Sequence, residues 1–204
     1  MKIKIVQSVS PNHPAWIDRC MTSVRDWALS KGYDYQVIGD ELFEYFPPDL
    51  PDGGYKLVKT DYARVAYLRR SMQLGECDVS FWFDSDVVLW APERFELAVP
   101  PDQGMTVTQE EWFSSFIRTP IYYAESKINN CIIGFRGTGS ADFLLHLYEH
   151  SLKYKKIDNW CLGPGLLTPL VFSGLYKPTI QGGIGCFGGK AFTEIRSNGS
   201  KFVK

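Results

Sequence analysis

The sequence predicts an α/β fold: a mostly parallel central sheet flanked by helices, built as one compact domain over residues 1–204. Two observations lead there. From the first residues onward, short β-rich runs alternate with stretches of helical spacing, the pattern of strands joined by crossover helices. Further on, the apolar run FWFDSDVVLW (81–90) is broken by two carboxylates. An unpaired buried carboxylate costs several kcal/mol, so such a pair belongs at a strand's end and needs a cation. With 45% hydrophobic and 22% charged residues, the chain has the composition of one globular domain with its own core.

The elements follow in order. IKIVQSV (3–9) reads as the first strand. A helix over 14–32 places Ile17, Cys20, Met21, Val24 and Trp27 at helical spacing and stops at Gly32. YDYQVIG (33–39) is the next strand, and FPPDLPDGG (46–54) is a loop. A second helix from about Tyr55 to Leu74 leads into the strand VSFWF and the acidic pair. Between Pro100 and Lys127 the periodicity weakens around the aromatic cluster Trp112, Phe113, Phe116, Tyr122 and Tyr123. NNCIIGF (129–135) reads as a strand and ADFLLHLYEHSLKY (141–154) as a helix. There is no internal repeat and no linker long enough to separate two domains.

The second helix carries a polar signal. At about 100° per residue, Leu57, Val58, Tyr62, Val65, Leu68 and Met72 share one face, with Asp61 inside the arc and Arg64 at its edge. The pair is either a buried structural contact or part of a polar site beyond the carboxyl ends of the strands, where open α/β sheets bind ligands. Asp84 and Asp86 fit the same place, because residues two apart on a strand point to one side. Their hard oxygens suit Mg²⁺ or Mn²⁺, with substrate phosphates completing the shell. In a surface loop the same tripeptide would be a solvated turn.

Charge and cysteine content narrow the function. A formal net charge of -1 argues against a general nucleic-acid-binding surface. The N-terminus lacks the apolar core of a signal peptide, and no segment approaches the roughly 20 apolar residues of a membrane span. The five cysteines are widely spaced without a C-x-x-C, so neither a disulfide frame nor a zinc ribbon is expected. These features predict a cytoplasmic protein, for which the glycosylation match at Asn198-Gly199-Ser200 is coincidental.

KTDYARVAYL (59–68), FWFDSDVVL (81–89), INNCIIGF (128–135) and CLGPGLLTPLV (161–171) occur in that order. Together they resemble the GT-A glycosyltransferases of the DXD sugar-binding-region group. That group includes yeast outer-chain mannosyltransferases, bacterial capsular and lipooligosaccharide transferases and, more distantly, the clostridial glucosylating toxins. The opening IKIVQSVSPNHPAW is similar to the group's first strand and nucleotide-binding turn, so the resemblance covers about residues 1–172.

The resemblance implies a Rossmann-like GT-A domain that moves a sugar from a UDP- or GDP-linked donor to an acceptor hydroxyl with retention of configuration. The acceptor is a saccharide, a lipid-linked molecule or a protein, and the oligomeric state stays open. Asp86 would bind Mn²⁺ (or Mg²⁺) directly, and Asp84 would meet the metal or the donor ribose through water. Asp61 would accept hydrogen bonds from the donor sugar, Arg64 would contact sugar or diphosphate, and Asn129 or Asn130 would line the sugar pocket. Gln7, Ser8 and Val9 at the end of the first strand would bind the donor, as would Lys59, Ser85, Gly163 and Pro164. No catalytic base is singled out. The chain departs from the group in lacking a late histidine as third metal ligand, for which Glu194, Ser197 or Asn198 would substitute. It is also shorter than most relatives, which leaves acceptor recognition to 100–127.

Other motifs compete. FWFDSDVVL fits the nucleophile strand of haloacid-dehalogenase-type phosphatases, but some 80 residues precede it and no later Asp pair follows. His146, Glu149 and His150 match an inverted zinc-protease pattern on what reads as a solvated helix face. GIGCFG (183–188) lacks the context of a dinucleotide fingerprint and reads as flexible turns, and GGK (188–190) lacks the rest of a phosphate loop while bringing Lys190 near a diphosphate. A nucleotide-sugar- or carbohydrate-binding protein without turnover is the alternative of a different class.

Overall fold

The computed structural model describes residues 1–115 and 122–187. The elements are β1 (Ile3–Ser8), α1 (Ala15–Ser30), β2 (Asp34–Ile38), a short 3-10 helix (Asp40–Tyr45), α2 (Lys56–Gln73), β3 (Val79–Phe83), β4 (Met105–Ser115), β5 (Tyr122–Arg136), α3 (Gly139–Tyr154), α4 (Pro164–Phe172) and β6 (Thr179–Phe187). One six-stranded sheet has the order β2-β1-β3-β5-β4-β6. β1 pairs parallel with β2 and β3, and β4 pairs parallel with β6, while β5 runs antiparallel to both β3 and β4.

The pleat sorts side chains into two cores. Val6, Trp82, Ile133 and Phe135 face α2, α3 and α4, whereas Ile5, Val79, Phe81 and Phe83 face α1 and the segment through Phe95 and Val99. β3 is buried on both faces, as a central strand requires. At the join between the parallel and antiparallel halves, a Cβ on Gly134 would lie 2.2 Å from the Phe81 ring, so only glycine fits. α1 closes as its sequence predicts, with Gly32 at φ 71°.

Several expectations change. The weakly periodic 100–127 segment contributes β4 and the start of β5, paired from Met105↔Phe135 to Ser115↔Tyr122 with a register shift after Val107. GIGCF, read as turns, lies in β6, and the late Gly-Pro turn opens α4, where proline at the first helical positions sets φ without losing a bond. Leu57, in the first turn of α2, is exposed, while Val58 beside it is buried. Phe143 leaves the apolar face of α3 and stacks on Tyr176, with ring centroids 5.5 Å apart. Of the aromatic cluster, Trp112 and Phe113 fall on β4, Tyr122 and Tyr123 on β5, and Phe116 lies outside the described residues. No helix of the described residues is long and apolar enough to cross a membrane.

Candidate active site

β1 and β3 end side by side, with Val6 opposite Trp82, and the chain leaves β3 through Asp84-Ser85-Asp86. Gln7, fully buried, fastens that exit: its Nε2 donates to the Asp84 carbonyl oxygen at 3.1 Å, and its Oε1 accepts from the Tyr35 hydroxyl at 2.8 Å. The side chain expected at the donor thus has its polar atoms engaged in holding the acidic turn. Ser8 and Val9 are half-buried beside it, and the Val9 N–H donates to the Ile38 carbonyl.

α2 turns Asp61 and Arg64 toward this exit, and both are buried. The Arg64 guanidinium joins three groups. One terminal nitrogen lies 3.0 Å from Asp84 Oδ1 and donates to the Asn130 carbonyl at 2.9 Å; the other lies 3.1 Å from Asp61 Oδ1. It also lies over the Trp82 ring at 5.4 Å, and Trp82 Nε1 donates to Asp84 Oδ1 at 2.8 Å. Trp82 and Asp84 are two apart and share a side of the strand, so the i, i+2 rule would have found this partner.

Asp61 is enclosed. Its Oδ1 accepts from Asn130 Nδ2 at 2.9 Å. Gly163 roofs the carboxylate so closely that a Cβ there would lie 3.0 Å from Asp61 Oδ2 and 3.2 Å from Asn130 Oδ1. Burial pushes the Asp61 carboxyl up, while Arg64, Asn130 and the Gly163 N–H hold it down. Both Asp61 oxygens therefore face protein groups. Burial opposes the Arg64 charge, but Asp84 and Asp61 outweigh it. Tyr148 on α3 is fully buried nearby, its pKa pushed up by burial and by the Asp61 charge.

A bulge in β5 presents the third side of the site. Val107 pairs with Ile133 but Thr108 with Asn129, so residues 130–132 have no partners on β4. The Asn130 carbonyl meets Arg64, and the Cys131 carbonyl accepts the Asp84 N–H at 2.7 Å. The Thr108 hydroxyl donates to the Ile132 carbonyl at 2.8 Å and accepts the Ile132 N–H at 3.0 Å. Asn129 turns elsewhere: its Nδ2 donates to Glu110 Oε2 at 2.7 Å, and its Oδ1 accepts the Asn130 N–H. Nothing in the sequence marks Thr108 or the bulge.

Asp86 is exposed and has no hydrogen-bond or ion-pair partner among the described residues, and Ser85 beside it is half-buried. Burial first, then the Asp86 and Asp61 charges, push the Asp84 carboxyl up to about 6 against the pull of Arg64. Two carboxylates thus share one guanidinium, and the Asp86 charge acts on Asp84 beside them, leaving surplus negative charge at the strand end. Hard oxygen donors with uncompensated charge fit a divalent cation held by Asp84 and Asp86 and completed by phosphate oxygens. No group of three or more His, Cys, Asp or Glu side chains placed to hold a metal occurs among the described residues.

The remaining candidates scatter. Lys59 Nζ pairs with Asp52 at 2.8 Å on the wall of an open cavity of about 520 Å³ that Asp40, Phe43 and Lys56 also line. Pro164, half-buried, starts α4. Lys190, Glu194, Ser197 and Asn198 lie outside the described residues. Glu149 of the H-x-x-E-H pattern accepts from the Tyr62 hydroxyl at 2.9 Å, while His146 and His150 are exposed and His150 packs on the Tyr154 ring. Asp84 follows the third strand in the chain, where a haloacid-dehalogenase nucleophile would follow the first.

The sequence matches no protein-family model and no curated protein sequence. Among solved structures, the fold is similar to that of a glycosyltransferase involved in the glycosylation of the major capsid of PBCV-1. The identity is 11% and the TM-score 0.51, over 90% of this chain and 82% of that one. It is also similar to a galactosyltransferase, LgtC, solved with donor and acceptor sugar analogues, at 14% identity and TM-score 0.41, over 98% of this chain and 81% of that one. The expected mostly parallel α/β sheet flanked by helices is thus the fold found, and its architecture is one that glycosyltransferases use.

Proposed function

We propose that this protein is a metal-dependent, retaining glycosyltransferase that moves a sugar from a nucleoside diphosphate donor to an acceptor hydroxyl. The observation that carries this reading is the buried network in which Arg64 joins Asp61, Asp84 and the Asn130 carbonyl, with Asp86 exposed at its mouth. Surplus carboxylate suits a divalent cation, and such a cation would offset the charge that a departing diphosphate gains.

Asp86 and the outer oxygen of Asp84 would hold Mn²⁺ or Mg²⁺, which when bound neutralises the charge developing on the leaving diphosphate. Arg64 and Trp82 fix the inner oxygen of Asp84 and so orient the outer one. Asp61 and Asn130 form the floor of the sugar pocket, and Asp61 meets a sugar hydroxyl once that hydroxyl replaces the Gly163 N–H. The bond from the anomeric carbon to phosphate breaks, the acceptor oxygen bonds to that carbon on the same face, and its proton passes to the departing phosphate oxygen. Free thiols at Cys20, Cys77, Cys131 and Cys161 support a reducing cytoplasm as the setting.

A nucleotide-sugar-binding protein without turnover is the second reading, favoured by the full engagement of Asp61 with protein groups. A panel of UDP- and GDP-sugars with Mn²⁺, Mg²⁺ or EDTA separates the two when thermal stabilisation and released nucleoside diphosphate are both scored on wild type and Asp86→Asn. Metal-dependent stabilisation with diphosphate release, both lost in Asp86→Asn, establishes the transferase. Stabilisation without release leaves the binding protein, and neither refutes both.

A further inference from the structure

None of residues 159–176 is charged, yet few of them are buried. α4 reads PGLLTPLVF and has no polar face. Leu167 enters the core, and the Thr168 hydroxyl is tied to the N–H and carbonyl of Ile128 at 3.2 and 3.1 Å. Outside, Trp160 is 55% exposed, Phe172 58% and Leu175 79%. α3 and α4 contribute to the same core through Leu144, Tyr148, Leu167 and Val171, and Phe143 of α3 stacks on Tyr176, just past α4. At the C-terminal end of α3, Tyr154 is 74% exposed among Lys153, Lys155 and Lys156. Lys177 closes the segment, and the one acidic residue between Lys153 and Lys177 is Asp158, whose Oδ1 accepts the Trp160 N–H. None of the four lysines has an ion-pair partner among the described residues.

We propose that the exposed apolar segment around α4, with the lysines that flank it, docks on a membrane surface bearing anionic phospholipid. Trp160, Phe172 and Leu175 enter the boundary between headgroups and acyl chains, and the lysines reach the phosphates on their long stems. Charge decides between this occupant and a second copy of the chain. A two-fold contact through this segment would set lysine against lysine, whereas an anionic headgroup layer complements all four. The same segment supplies Gly163, which roofs Asp61 in the candidate site.

The test uses the full chain without donor, so that failure of the transferase reading leaves it intact. Co-sedimentation compares vesicles of phosphatidylcholine mixed with phosphatidylglycerol against phosphatidylcholine alone. The wild type is expected to bind the mixed vesicles about tenfold or more tightly, less so at high salt. Two variants, Phe172→Ser with Leu175→Ser and Lys155→Glu with Lys156→Glu, each weaken binding about tenfold with unchanged circular dichroism. Should the serine pair fail to fold, the exposed lysine pair still decides. Absence of binding to mixed vesicles, binding by both variants as tight as that of the wild type, or a dimer in sedimentation that the serine pair dissolves would each overturn the proposal.

Discussion

Arg64 is the cation that two carboxylates share, and the energetics of the site turn on it. Arg64→Ala leaves Asp61 and Asp84 without their counterion, a change that costs about 3–5 kcal/mol when the charges are buried. Arg64→Lys retains the charge but lacks the planar fork that spans both carboxylates and the Asn130 carbonyl, so its urea midpoint should fall between those of wild type and alanine. Equal midpoints for all three would show that the network is solvated. Asp84 adds a pH signature. Its folded carboxyl titrates at about 6, above the 3.8 of an unperturbed side chain. The folded state therefore binds the extra proton, and stability falls as pH rises from about 4 to about 6, then stays level. Asp84→Asn keeps an acceptor for Trp82 and Arg64 yet never ionises. Melting curves in EDTA should show wild type losing ground to Asp84→Asn across that window, and parallel pH profiles would refute the assignment.

At the scale of elements, the sequence shows those whose pattern is set by packing alone. α2 is legible because its buried face repeats at helical spacing, and Asp61 is conspicuous there as a carboxylate inside an apolar arc. β4 is not legible, because the residues it buries include Thr106, Thr108 and Glu110, which erase the contrast between its two faces. Thr108 is inward because it supports the β5 bulge and Glu110 holds Asn129, while Thr106 donates to the Ala98 carbonyl. α4 hides for the opposite reason, having no polar face to generate a period, and glycines disguise β6. The β5 bulge, invisible beforehand, depends on one hydroxyl. Thr108→Val should cost about 1–3 kcal/mol through the unpaired N–H and carbonyl of Ile132, and Thr108→Ser should recover most of it. If the bulge places Asn130, the valine variant also loses donor-dependent stabilisation; a variant that loses neither would make Thr108 incidental.

For the whole molecule, the opening strand, helix, strand series and the acidic strand end were enough to predict an α/β sheet with its site at the carboxyl ends of β1 and β3. The order of the remaining strands was not readable, because it depends on β5 inserting antiparallel between β3 and β4. That insertion has a thermodynamic consequence. β1 and β2 reach the later strands only through β3 and β5, and Phe81 packs on Gly134 at that join. The two halves of the chain share one sheet and two continuous cores, so they should unfold together. Tryptophans run from Trp16 to Trp160, so their fluorescence samples both halves while far-ultraviolet circular dichroism samples the backbone. In urea the two probes should trace one transition. A donor sugar nucleotide with Mn²⁺ at about 100 times its dissociation constant should raise the unfolding free energy by about 2.7 kcal/mol in both. Separate transitions, or a ligand shift in one probe alone, would mean that the acidic strand end belongs to a unit that unfolds independently of the rest.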